Sequence, residues 1–156
     1  NGGNPDSSFK YIIDKGQCLE PTYPYVSGTT KTAGDCQPCD ASIVDFSYCF
    51  DIPSGNQASL AQAVNRQPVA IAIEADTKYF QSYSGGILTS SNCGTALDHA
   101  VEIVGYGTDN GIDYWTIRNS WGETWGEDGY VRILKSSSNN DNGICGLAME
   151  ASFISV

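Results

Sequence analysis

The sequence has one histidine, one methionine and only eight lysines and arginines in 156 residues. Eighteen aspartates and glutamates leave it with a net charge of −10. A surface of that sign repels phosphate and anionic lipid, which argues against nucleic acid or a membrane surface as partner. No apolar run approaches the ~20 residues that cross a bilayer, and no basic stretch followed by an apolar one opens the chain. There is no internal repeat and no N-x-S/T sequon. A single C-x-x-C, Cys36-Gln37-Pro38-Cys39, has no second pair or histidine pair at zinc spacing, so no metal site is expected. The opening Asn1-Gly2-Gly3-Asn4-Pro5 lacks an initiator methionine and reads as the middle of a longer gene product.

What remains is enough for a core. Hydrophobic residues make up 40% of the chain and charged ones 17%, which suits one domain or a large piece of a two-domain protein. Six cysteines are many for a reducing compartment. Disulfides are the favoured use, because the strand-to-helix setting that activates a redox C-x-x-C is missing. That points to a lysosome or other acidic vesicle, or to secretion. Partial protonation of the carboxylates near pH 4–5 would relieve their mutual repulsion there.

Phe9, Ile12 and Ile13 predict a helix over 6–16, with Asp6 or Ser7 as N-cap and Gly16 as stop. A long stretch over 17–50 shows little periodicity and holds four of the six cysteines; loops of that length are usually cross-linked or functional. A second helix is expected at 57–66. Strands are expected at 69–73, 99–106, 114–118 and 129–134, separated by Gly, Asn and Asp turns. Two regions result: 1–50, a helix with a disulfide-linked loop, and 51–156, which is rich in β-structure.

The one histidine, His99, stands where an apolar strand begins. About twenty residues on, a second strand delivers Asn119, and Trp121 and Trp125 follow, each with a glycine after it. An Asn carboxamide can hold one imidazole nitrogen and leave the other for chemistry, and an indole over that bond would keep water off it. A lone strand-edge histidine and two core tryptophans remain the plainer account of the same residues.

Taken in order, further segments point one way: Asn1-Gly2-Gly3, Tyr23-Pro24-Tyr25, Gln67-Pro68-Val69, Tyr83-Ser84-Gly85-Gly86-Ile87, Asp98-His99-Ala100-Val101, Val104-Gly105-Tyr106-Gly107, Asn119-Ser120-Trp121-Gly122, Gly129-Tyr130 and Cys145-Gly146-Leu147. Over nearly its whole length the chain resembles the papain/cathepsin L family of cysteine proteases. The resemblance implies an α+β, papain-like fold: a β-barrel-like antiparallel right-hand domain, with a fringe of the helical left-hand domain. It implies a cysteine endopeptidase without cofactor, in which His99 pairs with a thiolate and later activates water, Asn119 orients His99, and Trp121 covers their contact.

The same resemblance places Gly2 and Gly3 along the edge that holds an extended substrate backbone. Asn4, Pro5, Ala72, Leu97, Ala100 and Glu150 would line the pocket for the second residue before the cut, and Asp98 and Trp121 belong to the same substrate-contacting set. Small Ala72 leaves room, Leu97 supplies an apolar wall, and Glu150 at the floor could pair with an arginine or lysine while also admitting leucine. Met149 could close the pocket instead.

By the same resemblance, Cys93 and Cys145 would be joined, and Cys36 would pair with a cysteine outside this sequence. Cys18, Cys39 and Cys49 form an odd remainder. The family's nucleophile lies in a C-G-S-C-W type segment that is absent here, as is its oxyanion-hole glutamine. The family's mature enzymes carry roughly sixty residues ahead of the Asn-Gly-Gly, so the resemblance implies an N-terminal chain or segment of the same protease as partner. Two other readings are an inactive relative serving as a binding or inhibitory module, and a Ca²⁺-binding domain using Asp109–Asp113 or Asn139–Gly143. Neither acidic run has the twelve-residue loop with a terminal bidentate glutamate.

Overall fold

The computed structural model describes residues 2–37, 46–90, 92–136 and 138–155. Helix α1 spans Pro5–Lys15. Its cap is Asn4, not Asp6 or Ser7: the Asn4 Oδ1 accepts from the backbone N–H of Asp6 at 2.9 Å and of Ser7 at 3.3 Å. Pro5 explains the shift by one turn position, since a proline with no N–H to satisfy sits well at the first helical residue. Gly16 ends the helix at φ +76°, its N–H returning to the Ile12 carbonyl. Phe9, Ile12 and Ile13 are only half-buried, so the apolar stripe of α1 is partly uncovered.

Short helix α2 covers Ser27–Thr30, and strand β1 covers Tyr48–Asp51, so the 17–50 stretch is not all loop and the sheet begins three residues before position 51. Helix α3 (Gln57–Val64), strand β2 (Val69–Ile73), helix α4 (Lys78–Gln81) and strand β3 (Ile87–Leu88) come next. Strands β4 (His99–Asp109), β5 (Ile112–Arg118), β6 (Tyr130–Leu134) and β7 (Ala151–Ser155) complete the sheet.

The order is β1-β7-β2-β4-β5-β6-β3, antiparallel throughout except for the β3–β6 pair. Alternation builds the core. Val69, Ile71 and Ile73 of β2, Val101 and Ile103 of β4, Trp115 and Ile117 of β5, and Val131 and Ile133 of β6 turn to one face and are buried. Leu60 of α3 and Phe80 of α4 complete it. The Trp115 indole N–H, drawn inside with its ring, donates to the buried Gln57 Oε1 at 3.1 Å. A single disulfide bridge among the described residues, Cys93 to Cys145, ties the β3–β4 connection to the turn ahead of β7.

Strands β4 and β5 run beyond their sequence-based ends because Asn110-Gly111 makes a two-residue hairpin turn at φ +50° and +79°. The acidic run around it is occupied by the hairpin. Asp113 accepts from the Thr108 hydroxyl at 2.5 Å, and Asp109 binds the Asn110 amide and Arg132.

Candidate active site

The same alternation that fills the core delivers the site. On β5, Trp115 and Ile117 face inward, and the next residue of that parity is Asn119, 8% exposed. On β4, Val101 and Ile103 face inward, and two residues earlier is His99. Arg118 pairs with Glu102, so one further step of the register puts Asn119 beside Val101 and diagonal to His99. A polar pair thus continues the apolar stripe where the sheet face runs out of core.

The contact is made. His99 Nε2 lies 2.8 Å from Asn119 Oδ1. A carboxamide oxygen only accepts, so Nε2 carries the hydrogen and Nδ1 is left for other chemistry. Nδ1 has no hydrogen-bond partner among the described residues. Asn119 Oδ1 also accepts from the Ser120 N–H at 2.8 Å, and the Asn119 N–H donates to the Gly129 carbonyl at 3.0 Å. The side chain is therefore held at its oxygen and the backbone at its N–H. The Asn119 Nδ2, buried, has no partner among the described residues.

Trp121 lies over this pair, its ring centroid 5.0 Å from that of His99 and tilted by 30°. It rests edge-on against Phe80 at 5.6 Å and Trp125 at 5.2 Å. The Trp125 N–H donates to the Gln81 carbonyl at 3.0 Å. The two tryptophans are not buried between strands; they form a half-open aromatic shelf beside the imidazole.

Asp98, just before His99, is a brace. Its Oδ1 accepts from the Ala75 N–H at 2.8 Å, and its own N–H donates to the Ile73 carbonyl at 3.0 Å. Gly2 and Gly3 precede α1 outside any helix or strand, exposed, with nothing within 4 Å of where a Cβ would stand. Asn1 lies outside the described residues.

A cavity of about 280 Å³ opens between the start of α1, β2 and the approach to β7. Asn4, Pro5, Ala72 and Glu150 line it, together with Met149. Leu97 and Ala100 do not. Ala100 is on β4, whereas the cavity lies over β2 and β7, so Ala100 faces a separate hollow with Glu102, Arg118 and Asn119. Leu97 packs toward Gly146 instead. Sequence reasoning missed Asp6 and Asp51, which give this cavity two more carboxylates beside Glu150. Asp51 is an edge-strand residue, and nothing in its neighbourhood in sequence marks it.

Two cysteines are free among the described residues, Cys36 exposed and Cys49 half-buried. Burial first, and then Asp6 and Asp51, raise the Cys49 thiol above its ordinary range. That is the opposite of what a nucleophile needs. Cys18 is disulfide-bonded, and Cys39 lies outside the described residues.

Residues 1–155 match the family described as papain family cysteine protease. Over 154 residues the chain is 47% identical to the oryzain beta chain of Oryza sativa subsp. japonica, covering 98% of this chain and 32% of that protein. It is 43% identical over 156 residues to germination-specific cysteine protease 1 of Arabidopsis thaliana, covering 98% of this chain and 40% of that one. The bromelain protease from Ananas comosus, solved with the E64 inhibitor, superposes with a TM-score of 0.87 at 36% identity, over 99% of this chain and 70% of that one. Digestive procathepsin L 3 of Tenebrio molitor larval midgut gives 0.85 at 44% identity, over 99% and 49%. The chain spans less than half the length of both plant relatives.

Proposed function

Because the chain belongs to the papain family of cysteine proteases, we propose that it is the part of a cysteine endopeptidase that supplies the imidazole and its amide brace. The observation that carries this is the 2.8 Å His99–Asn119 contact, which engages Nε2 and leaves Nδ1 unengaged. A cysteine from the rest of the longer protein would meet Nδ1 and transfer its proton there, giving a thiolate–imidazolium pair. The thiolate attacks the peptide carbonyl, His99 protonates the leaving amine, and the neutral ring then takes a proton from the water that releases the acyl group. Asn119 keeps the ring in one tautomer and one orientation throughout. Trp121 shields their hydrogen bond, which is stronger away from water.

The N-terminal portion is the partner this reading requires. Two features favour its packing here: the buried Asn119 Nδ2, which lacks an acceptor among the described residues, and the exposed Cys36 thiol, free among those residues and available for a disulfide. Peptide and protein chains are the substrates, held in extended form along Gly2 and Gly3. The 280 Å³ cavity takes the second side chain before the cut, and Glu150, with Asp6 and Asp51, favours arginine or lysine there. An acidic vesicle or the extracellular space suits the −10 charge and the disulfides.

Labelling tests the core of this reading. The full-length protein should take up one thiol-directed epoxide per molecule, outside this chain, and His99→Ala should abolish uptake. No uptake by the wild type would instead support an inactive binding or inhibitory module. Peptide libraries with Glu150→Ala test the pocket: an unchanged ratio of arginine to leucine cleavage contradicts it.

A further inference from the structure

A second set of contacts, unused by the reaction outlined above, bolts the tryptophan turn to the chain after α4. Glu127 sits in that turn. Its Oε1 accepts from the Gly86 N–H at 2.9 Å and from Arg132 Nη2 at 2.8 Å, and its Oε2 accepts from Arg132 Nε at 2.8 Å. Arg132 stands on β6 and reaches the β4–β5 hairpin as well, donating from Nη1 to Asp109 at 2.9 Å and lying 5.2 Å from the centre of the Tyr114 ring. Tyr83 closes the ring of contacts: its hydroxyl donates to the Gly86 carbonyl at 2.6 Å and accepts from the Arg132 backbone N–H at 3.3 Å.

Two routes lead from this clamp to His99. One is backbone. Glu127 and Tyr130 exchange hydrogen bonds, Gly129 donates to the Trp125 carbonyl at 2.8 Å, and the Gly129 carbonyl holds the Asn119 N–H. The other is aromatic: Tyr83 packs on Trp125 at 5.5 Å, Trp125 on Trp121, and Trp121 on His99. The turn is seated hard on Tyr83. A Cβ at Gly126 would meet the Tyr130 carbonyl oxygen at 2.5 Å and the Tyr83 ring at 3.0 Å, so no larger residue fits there.

We infer that Glu127 and Arg132 are positioning residues for the His99–Asn119 pair, holding the turn so that amide and indole both meet the imidazole. This rests on the reading of His99 as the catalytic base. Stability alone is an incomplete explanation for the pair, since the Glu127 and Arg132 side chains remain 30% and 23% exposed to screening water. Direction is the better one: a two-pronged guanidinium–carboxylate contact sets angle as well as distance, which a lysine cannot reproduce.

The test uses the full-length protease with Glu127→Gln, Arg132→Lys and both together. Each should lower kcat at least about tenfold with KM changed less than about twofold, since small misplacements of a catalytic group are costly. The double variant should be no worse than either single one, because each alone breaks the fork. Independently of activity, with the nucleophilic thiol alkylated and the ring neutral, ¹⁵N shifts of His99, assigned by their loss in His99→Gln, should show the Nε2–H tautomer depleted in all three. Unchanged kcat and an unchanged tautomer, with only a lower melting temperature, would overturn the inference. A His99→Gln protein as active as its parent would overturn the catalytic reading instead, while the tautomer shift would still decide the clamp.

Discussion

The segment before residue 38 and the sheet after residue 46 are built to different standards. The sheet turns nine apolar strand residues inward, most of them fully buried, and ties its ends with a disulfide. In the earlier segment no α1 residue is buried, and Tyr11, Leu19, Tyr25 and Val26 are each more than half exposed. One region stabilises itself. The other presents an apolar face, which on the proposed function is where the rest of the longer protein would pack. His99 and Asn119 sit on the well-buried side, so on the proposed function the imidazole and its brace would be held in place independently of the thiol.

The largest expected effect falls on chemistry. In the full-length enzyme, His99→Ala should lower kcat/KM by about 10³-fold or more while the melting temperature stays nearly constant; a loss explained by unfolding would erase the distinction between scaffold and site. Next comes the scaffold. Opening the Cys93–Cys145 bridge, whose ends are 52 positions apart, should cost about 4 kcal/mol in denaturant titrations by loop-closure reasoning. Ile117→Ala, at a fully buried position, should cost about 2–5 kcal/mol in the same assay.

The smallest stability effects should separate the two regions most clearly. Ile12→Ala in half-buried α1 should cost under about 1 kcal/mol in this chain alone, and more in the full-length protein if that face is covered. Equal costs in both settings would remove the contrast. Acid titration gives a further check. Arg132 holds the Glu127 carboxyl below the ordinary carboxylate range. A depressed folded-state value contributes stability above the unfolded value, near pH 4.5, and loses it as pH falls through the lower one. Glu127→Gln should therefore weaken the acid dependence of the melting temperature below about pH 4.5, whereas the wild-type clamp stays charged in mildly acidic solution.

How much of this was legible follows from what kind of signal each part leaves. Strands β2, β4, β5 and β6 announce themselves by alternation, and Asn119 could be read as a polar residue delivered by an apolar strand. Strands β1, β3 and β7 are short and mixed, so nothing local sets them apart from loop. The α1 cap was misread by a few residues because Asp6 and Ser7 are also good caps and only Pro5 settles the matter. Leu97 and Ala100 were assigned to the pocket by resemblance alone, and sequence order does not say that Ala100 pairs with Ala72 yet lines a different hollow. Glu127 was hidden for the same reason: its partner Gly86 is 41 positions away.

The central claim is that His99, braced by Asn119, ionises a thiol from the rest of the protein. Iodoacetamide alkylation of that thiol in the full-length enzyme, followed from pH 4 to 9, tests it directly. The account predicts rapid alkylation well below the ordinary thiol range near pH 8.5, shifting to an ordinary thiol profile in His99→Ala. Identical profiles in the two proteins would contradict it.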